Sequence, residues 1–305
     1  MNLFINNKCR KIINDNIIML LKNILYVLVV PLLFFATYWE VKKRVFTNVY
    51  LTMTKLGKVE HIENIRTIVM KNLLLLIRDR LRFLLLLLPF WLLKCLIMKY
   101  AILIGIEKLD TLLNRGKGAV VFSCHIGPYY FTPAALALLG YKVIILDRFG
   151  FIEVPIVNYH IKKINKLKGS TVLETTTIYD DLLLRKLKKC LQEGKIVYIM
   201  GDYNGFNYKG SYVKFLGYDI IPGRGIAWLH KKTGAPLVPI VVEYSDTNKG
   251  NIKIYNELIV DRQQDIDSIT QDVYHTLEDF ILQKPERWLL WMDYHLILSP
   301  EARGN

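Results

Sequence analysis

From Gly118 onward, short β-branched runs alternate with helix-like segments, and this alternation confines the chain to an α/β fold built on a largely parallel sheet. AVVFSC, KVIIL, STVLE, KIVYIM and PLVPIVVEY read as strands. Between them, YFTPAALALLG, VPIVNYHIKKINKLK, IYDDLLLRKLKKCLQEG and GIAWLHKKTG carry helical spacing. A further run, NIKIYNELIV, and the helix IDSITQDVYHTLEDFILQ close the domain. No repeat, low-complexity tract or Gly/Ser-rich linker interrupts it. The expected fold is therefore a mostly parallel mixed sheet flanked by helices.

Ligands of such sheets gather at the carboxyl ends of the strands. Three features fall there: His125 after AVVFSC, Asp147 and Arg148 after KVIIL, and Asp202 after KIVYIM. A histidine at a strand-to-helix junction is suited to general-base work on a hydroxyl, because imidazole titrates near neutrality. A purely structural histidine is the bland alternative. Cys124 and His125 are adjacent in a strand and point to opposite faces, which excludes a thiol nucleophile paired with its base. Pro128 suits a helix start, where free backbone N–H groups attract an anion or a developing oxyanion. Residues 202–225 form a long loop rich in glycine and tyrosine, in which Lys209, Lys214 and Arg224 are either contacts for anionic groups or surface charge. Neither a GxGxxG nor a Walker spacing occurs.

The N-terminal third is apolar. Ile17 to Trp39 is long enough to span a bilayer, although Lys22, Asn23 and Pro31 cut into it. Leu81 to Ile106 carries Pro89, Lys94 and Lys99, and reads equally as an interfacial segment with snorkelling lysines or as a pair of core helices. The expected division is a membrane-anchoring helical region over 1–100 and an α/β domain over 101–305. Lys and Arg total 41 against 27 for Asp and Glu, a net charge of +14. With 52% hydrophobic residues, that charge favours a membrane surface and acidic partners. Nucleic acid is excluded as a partner, since no binding module appears. Basic helices at 162–168 and 184–190 offer a patch to an acidic carrier protein or to anionic lipid. Cys9, Cys95, Cys124 and Cys190 are scattered, which predicts reduced thiols, a cytoplasmic setting and no metal site.

Residues 105–143, GIEKLDTLLNRGKGAVVFSCHIGPYYFTPAALALLGYKV, resemble the central block of the lysophospholipid acyltransferase superfamily, closest to the lipid A late acyltransferases. That block runs Gly-x-Glu, Gly-Lys-Gly, then a strand ending in His-x4-Asp/Glu. Residues 200–244 are similar to the family's Asp-containing loop, Val-x-Phe-x-Gly element and Thr-Gly-Ala-Pro-x-Val-Pro strand, and PERWLLWM is similar to its closing Pro-Glu-x-Trp segment. The resemblance implies the glycerolipid acyltransferase-like fold and an acyltransferase at the cytoplasmic (inner) membrane, its catalytic domain facing the cytoplasm. It would move an acyl group from an acyl carrier protein or coenzyme A thioester to a hydroxyl or amine of a membrane lipid or other amphiphile, with no cofactor and no metal. His125 would be the base. Arg148 matches an arginine held to grip a phosphate or polar headgroup, and Asp202, Arg224 and Tyr130 would be further substrate contacts.

The departure sits at the chemistry, for Tyr130 occupies the position of the family's carboxylate. Tyrosine accepts an imidazole N–H but brings no negative charge at neutral pH. Three resolutions stand open: another carboxylate (Asp147, Glu153 or Asp202) replaces it, an amine acceptor or a more reactive donor dispenses with it, or the protein binds lipid without turnover. Aminoacyl transfer to a lipid belongs with the second.

Overall fold

The computed structural model describes residues 38–59, 61–82, 85, 88–147, 171–174, 181–203, 211–244, 250–261 and 263–294. Three helices lead: α1 (Tyr38–Lys55), α2 (Ile62–Arg82) and α3 (Phe90–Tyr100). Then come β1 (Ala101–Ile104), α4 (Ile106–Leu113), β2 (Ala119–Ser123), α5 (Thr132–Leu139), β3 (Val143–Asp147) and β4 (Thr171–Glu174). They are followed by α6 (Asp181–Gln192), β5 (Ile196–Met200), β6 (Val213–Phe215), β7 (Tyr218–Ile220) and α7 (Gly225–Thr233). The remainder is β8 (Leu237–Tyr244), β9 (Gly250–Ile254), α8 (Ile266–Gln283) and two 3₁₀ turns, Pro285–Arg287 and Leu289–Met292.

Seven strands form one sheet in the order β1-β9-β8-β2-β5-β3-β4, parallel throughout except between β8 and β9. Every residue of β2 is buried, as expected of a parallel strand covered on both faces. Alternation splits the core accordingly. Val120 and Phe122 join Val197 and Ile199 under α6, α7 and α8, while Ala119 and Val121 join Ile196, Val238 and Ile240 under α3, α4 and α5. In α8, Asp265 caps the first turn by accepting the Ser268 N–H at 2.7 Å, and Ile269, Val273, Leu277 and Ile281 form its buried stripe.

The apolar stretch over 81–106 is not one segment. Pro89 precedes α3, which buries Leu93 and Ile97 one turn apart and exposes Trp91, Lys94 and Met98. The chain then extends as β1, because Ala101–Ile104 completes the sheet edge by pairing with β9. A core-facing stripe and an exposed apolar stripe thus share one helix. Residues 17–37 of the first apolar stretch lie outside the described residues. Among the described residues no helix is long and apolar enough to cross a membrane.

The glycine-rich stretch over 202–225 also holds structure absent from the loop reading. Val213 to Ile220 is a hairpin whose two-residue turn places Leu216 at φ 51° and Gly217 at φ 80°, the pair of positive angles that a type I′ turn requires. Leu216 is buried and its N–H donates to Glu278 Oε2 at 2.6 Å, so packing and a charge-assisted bond hold a conformation that leucine rarely adopts.

α1 and α2 pack into the same core as the sheet: Val45, Val49, Ile65, Val69 and Leu73 share one buried cluster with Phe122 and Trp288. Asn48 of α1 donates to the Trp291 carbonyl at 2.6 Å, and Asn72 of α2 donates to the Glu286 and Trp288 carbonyls at 2.9 and 2.8 Å. Both asparagines fasten the closing 3₁₀ segment.

Candidate active site

β2 and β5 are neighbours, paired in parallel with Ser123 opposite Met200. His125 and Asp202 each follow that pair by two residues, so strand register brings them level. The ladder runs one step further, with Gly201 N–H donating to the Ser123 carbonyl at 2.8 Å. A Cβ at Gly201 would lie 2.9 Å from Leu277 Cδ1 and 3.1 Å from Ile226 Cδ1. Glycine there lets β5 end tight against α7 and α8, which seats Asp202 in the interior.

Asp202 is fully buried and both of its carboxylate oxygens are hydrogen-bonded. Oδ1 lies 2.7 Å from His125 Nδ1; Oδ2 accepts the His125 backbone N–H at 2.7 Å and the Trp288 indole N–H at 2.8 Å. A buried carboxylate is costly unless hydrogen-bonded and paired, and here two uncharged donors and an imidazole do both. The carboxylate accepts a hydrogen bond from Nδ1–H, which leaves Nε2 as the basic nitrogen of the neutral ring.

The His125 side chain is 12% exposed. The Tyr129 ring stands edge-on to it at 4.5 Å and the Tyr203 ring at 5.8 Å. Behind it, the His125 carbonyl accepts the Leu289 N–H at 2.9 Å, and Ile126 bridges to Trp288. Cys124 is buried in the core cluster that holds Val120 and Phe122. Burial first, and then the Asp202 charge, push its thiol well above the ordinary range, which disfavours the thiolate that nucleophilic attack requires.

The turn after His125 differs from the expected anion-binding helix start. It is a three-residue 3₁₀ turn, Tyr129–Phe131. The Tyr129 N–H bonds Gly127 O at 2.9 Å, the Phe131 N–H bonds Pro128 O at 3.0 Å, and the Ile126 N–H bonds Cys124 O at 2.7 Å. These donors are spent within the turn, since a proline here tightens it instead of opening an α-helix. α5 starts only at Thr132.

Of the residues singled out by sequence, His125 and Asp202 meet. Arg224 stands at the start of α7 and engages Asp267 Oδ1 at 3.1 Å and the Ser211 carbonyl at 3.4 Å. An anionic ligand there would compete with Asp267. Tyr130 lies in the 3₁₀ turn and Asp147 ends β3; Arg148 and Glu153 lie outside the described residues. Among the described residues no cluster of three or more His, Cys, Asp or Glu is placed to hold a metal. Trp288, Tyr129 and Tyr203 were not marked out by sequence reasoning. PERWLLWM stood out by its resemblance, but no spacing reports that an indole will reach a carboxylate 86 residues away.

A model of the family described as bacterial lipid A biosynthesis acyltransferase matches residues 83–295. The chain belongs to this family. No curated protein matches it. The span shared with the lipid A acyltransferase family contains His125, Asp202 and Trp288, hence the whole hydrogen-bonded cluster. α1 and α2 both lie outside that span, yet both supply core residues and fasten the closing segment.

Proposed function

We propose that this protein transfers an acyl group from a thioester, carried on acyl carrier protein or coenzyme A, to a hydroxyl or amine of an amphiphilic membrane lipid. Its family supports an acyltransferase acting on lipids. The observation that carries the reading is the Asp202 carboxylate at 2.7 Å from His125 Nδ1, the base and orienting acid that such a transfer needs.

In the proposed reaction, Nε2 of His125 takes the proton of the acceptor O–H or N–H as that atom attacks the thioester carbonyl carbon. The carbonyl electrons move to oxygen, and the imidazolium so formed faces the charge of Asp202. Collapse of the tetrahedral species re-forms the carbonyl and breaks the C–S bond. The departing thiolate takes the proton from Nε2, and the neutral ring is restored. The edge-on rings of Tyr129 and Tyr203 leave the His125 side chain only 12% exposed, and such burial strengthens its pairing with Asp202. Arg148 is proposed as the headgroup or phosphate contact.

The proposed site is on the cytoplasmic side of the inner membrane; apolar side chains exposed on the leading helices accord with contact to a membrane surface, though not with either face in particular. Trp39 is 74% and Trp91 66% exposed, and Lys42 Nζ lies 5.1 Å over the Trp39 ring. Such pairs suit a lipid headgroup layer.

The test is transfer of radiolabelled acyl groups from acyl carrier protein or acyl-coenzyme A to membrane lipids. Wild-type protein should transfer label, and His125→Ala should lower the rate at least about 10³-fold while remaining folded. Label moving only from an aminoacyl carrier would replace this reading by aminoacyl transfer. That alternative drew its support from the lack of an acid at position 130, and Asp202 removes that support. Lipid binding without transfer by either protein would make it a non-catalytic binder.

A further inference from the structure

We infer that Trp288 is a positioning residue for the proposed transfer: its indole N–H, held in place by Asn72 of α2, orients the carboxylate of Asp202 and through it the His125 ring. This rests on the reading of His125 as the base.

Asp202 Oδ2 has two donors, and they differ in kind. The His125 backbone N–H moves with the residue it serves, whereas the Trp288 indole belongs to a separate part of the chain and supplies an outside reference at 2.8 Å. Trp288 is itself immobilised. It is fully buried, meets Trp291, Tyr294 and Phe215 edge-on at 4.8, 5.4 and 6.1 Å, and bridges backbone to backbone with Ile126. An aromatic packed on several faces has one orientation for its N–H.

Asn72 fixes the segment's height. It is fully buried, and its one amide nitrogen serves two carbonyls, those of Glu286 and Trp288, at 2.9 and 2.8 Å. Those two acceptors dictate which end of the amide faces the segment. The relay therefore runs from Asn72 through the Trp288 backbone and indole to Asp202, and then to Nδ1 of His125. Helices ahead of the α/β core thereby take part in setting the geometry of the base.

Trp291 provides an internal control. It is equally buried on the same segment and also spends its indole N–H, on the Pro285 carbonyl at 2.6 Å, without touching Asp202. Trp288→Phe and Trp291→Phe each remove one buried indole bond. Both should lower Tm by similar amounts. Trp288→Phe alone should lower kcat, by roughly 10- to 100-fold with KM for donor and acceptor unchanged, since a small displacement of a catalytic group costs rate and not binding. Asn72→Asp, which turns a carboxylate toward the two carbonyls, should lower kcat in the same manner.

A second readout is independent of turnover. In full-length protein in detergent, labelled with ¹⁵N-histidine, the Nδ1 proton of His125 should give a low-field resonance identified by its loss in His125→Gln. It should persist in Trp291→Phe and weaken or move upfield in Trp288→Phe. Equal kinetic losses in the two tryptophan variants, or an unmoved ring proton in Trp288→Phe, would overturn the inference. A wild-type protein that transfers nothing yet shows this resonance and its Trp288 dependence would sink the proposed reaction and leave the positioning intact.

Discussion

His125 and Asp202 stand at the ends of adjacent parallel strands, two residues beyond the paired Ser123 and Met200, with Nδ1 and Oδ1 2.7 Å apart. The carboxylate that the sequence lacks at position 130 is thus met at the same ring from another strand. Its geometry yields specific expectations.

Asp202→Asn should be nearly inactive while folding normally. The amide must keep its oxygen toward the two N–H donors at Oδ2, so its NH₂ faces Nδ1 and drives the proton to Nε2, the nitrogen needed as base. By analogy with the same substitution in a Ser-His-Asp triad, kcat should fall by about 10⁴-fold. Steady-state kinetics beside a circular dichroism melt would check this. A variant within tenfold of wild type would remove Asp202 from the mechanism.

Leu73→Ala on α2 should destabilise the whole protein by about 2–5 kcal/mol, the usual cost of a cavity at a side chain 1% exposed. Leu73 shares its cluster with Phe122 of β2, so unfolding should remain a single transition. Denaturant melts followed by tryptophan fluorescence and by far-ultraviolet circular dichroism would then coincide. Separate transitions would mean that α1 and α2 fold as their own unit.

Cys124 should resist iodoacetamide at pH 8 in the native state, because burial and the Asp202 charge raise its thiol and keep it neutral. Cys95 is exposed and should react under the same conditions. Peptide mapping by mass spectrometry reads both sites, and Cys124 should label only after unfolding in guanidinium. Rapid native labelling of Cys124 would mean that the strand end opens readily.

The Arg224–Asp267 pair should contribute little. Its side chains are 24% and 40% exposed, and ion pairs with that access to solvent are worth about 1 kcal/mol or less. A double-mutant cycle with Arg224→Ala and Asp267→Ala, read by thermal melts at low and at 0.5 M salt, should give a small coupling that shrinks with salt. A coupling of several kcal/mol would mark the start of α7 as a rigid structural clasp.

Local pattern was enough to place β2, β3, β5, β8 and α8, because a buried parallel strand and an amphipathic helix each write their burial into consecutive residues. It also placed His125 at a strand end and named Asp202 among three carboxylates able to serve it. Ala101–Ile104 escaped that reading. Its four residues form a strand only because β9 offers an edge, and pairing overrides propensity in so short a run. The β6–β7 hairpin escaped it too, since its turn holds a leucine where glycine or asparagine is the usual mark.

The choice of Asp202 over Asp147 depends on β5 lying between β2 and β3, although β3 precedes β5 along the chain. Strand order arises from how helices cross over and cover the two faces, a matter of long-range packing that consecutive residues do not record. The same holds for Trp288 and Asn72, which reach the site from 86 residues after Asp202 and from a helix ahead of the sheet. Chain order thus specified an imidazole at the carboxyl edge of a parallel sheet. The folded core supplied its acid, the indole that steadies the acid, and the amide that holds the indole, because hydrogen bonds between distant residues exist only once packing has excluded water from around them.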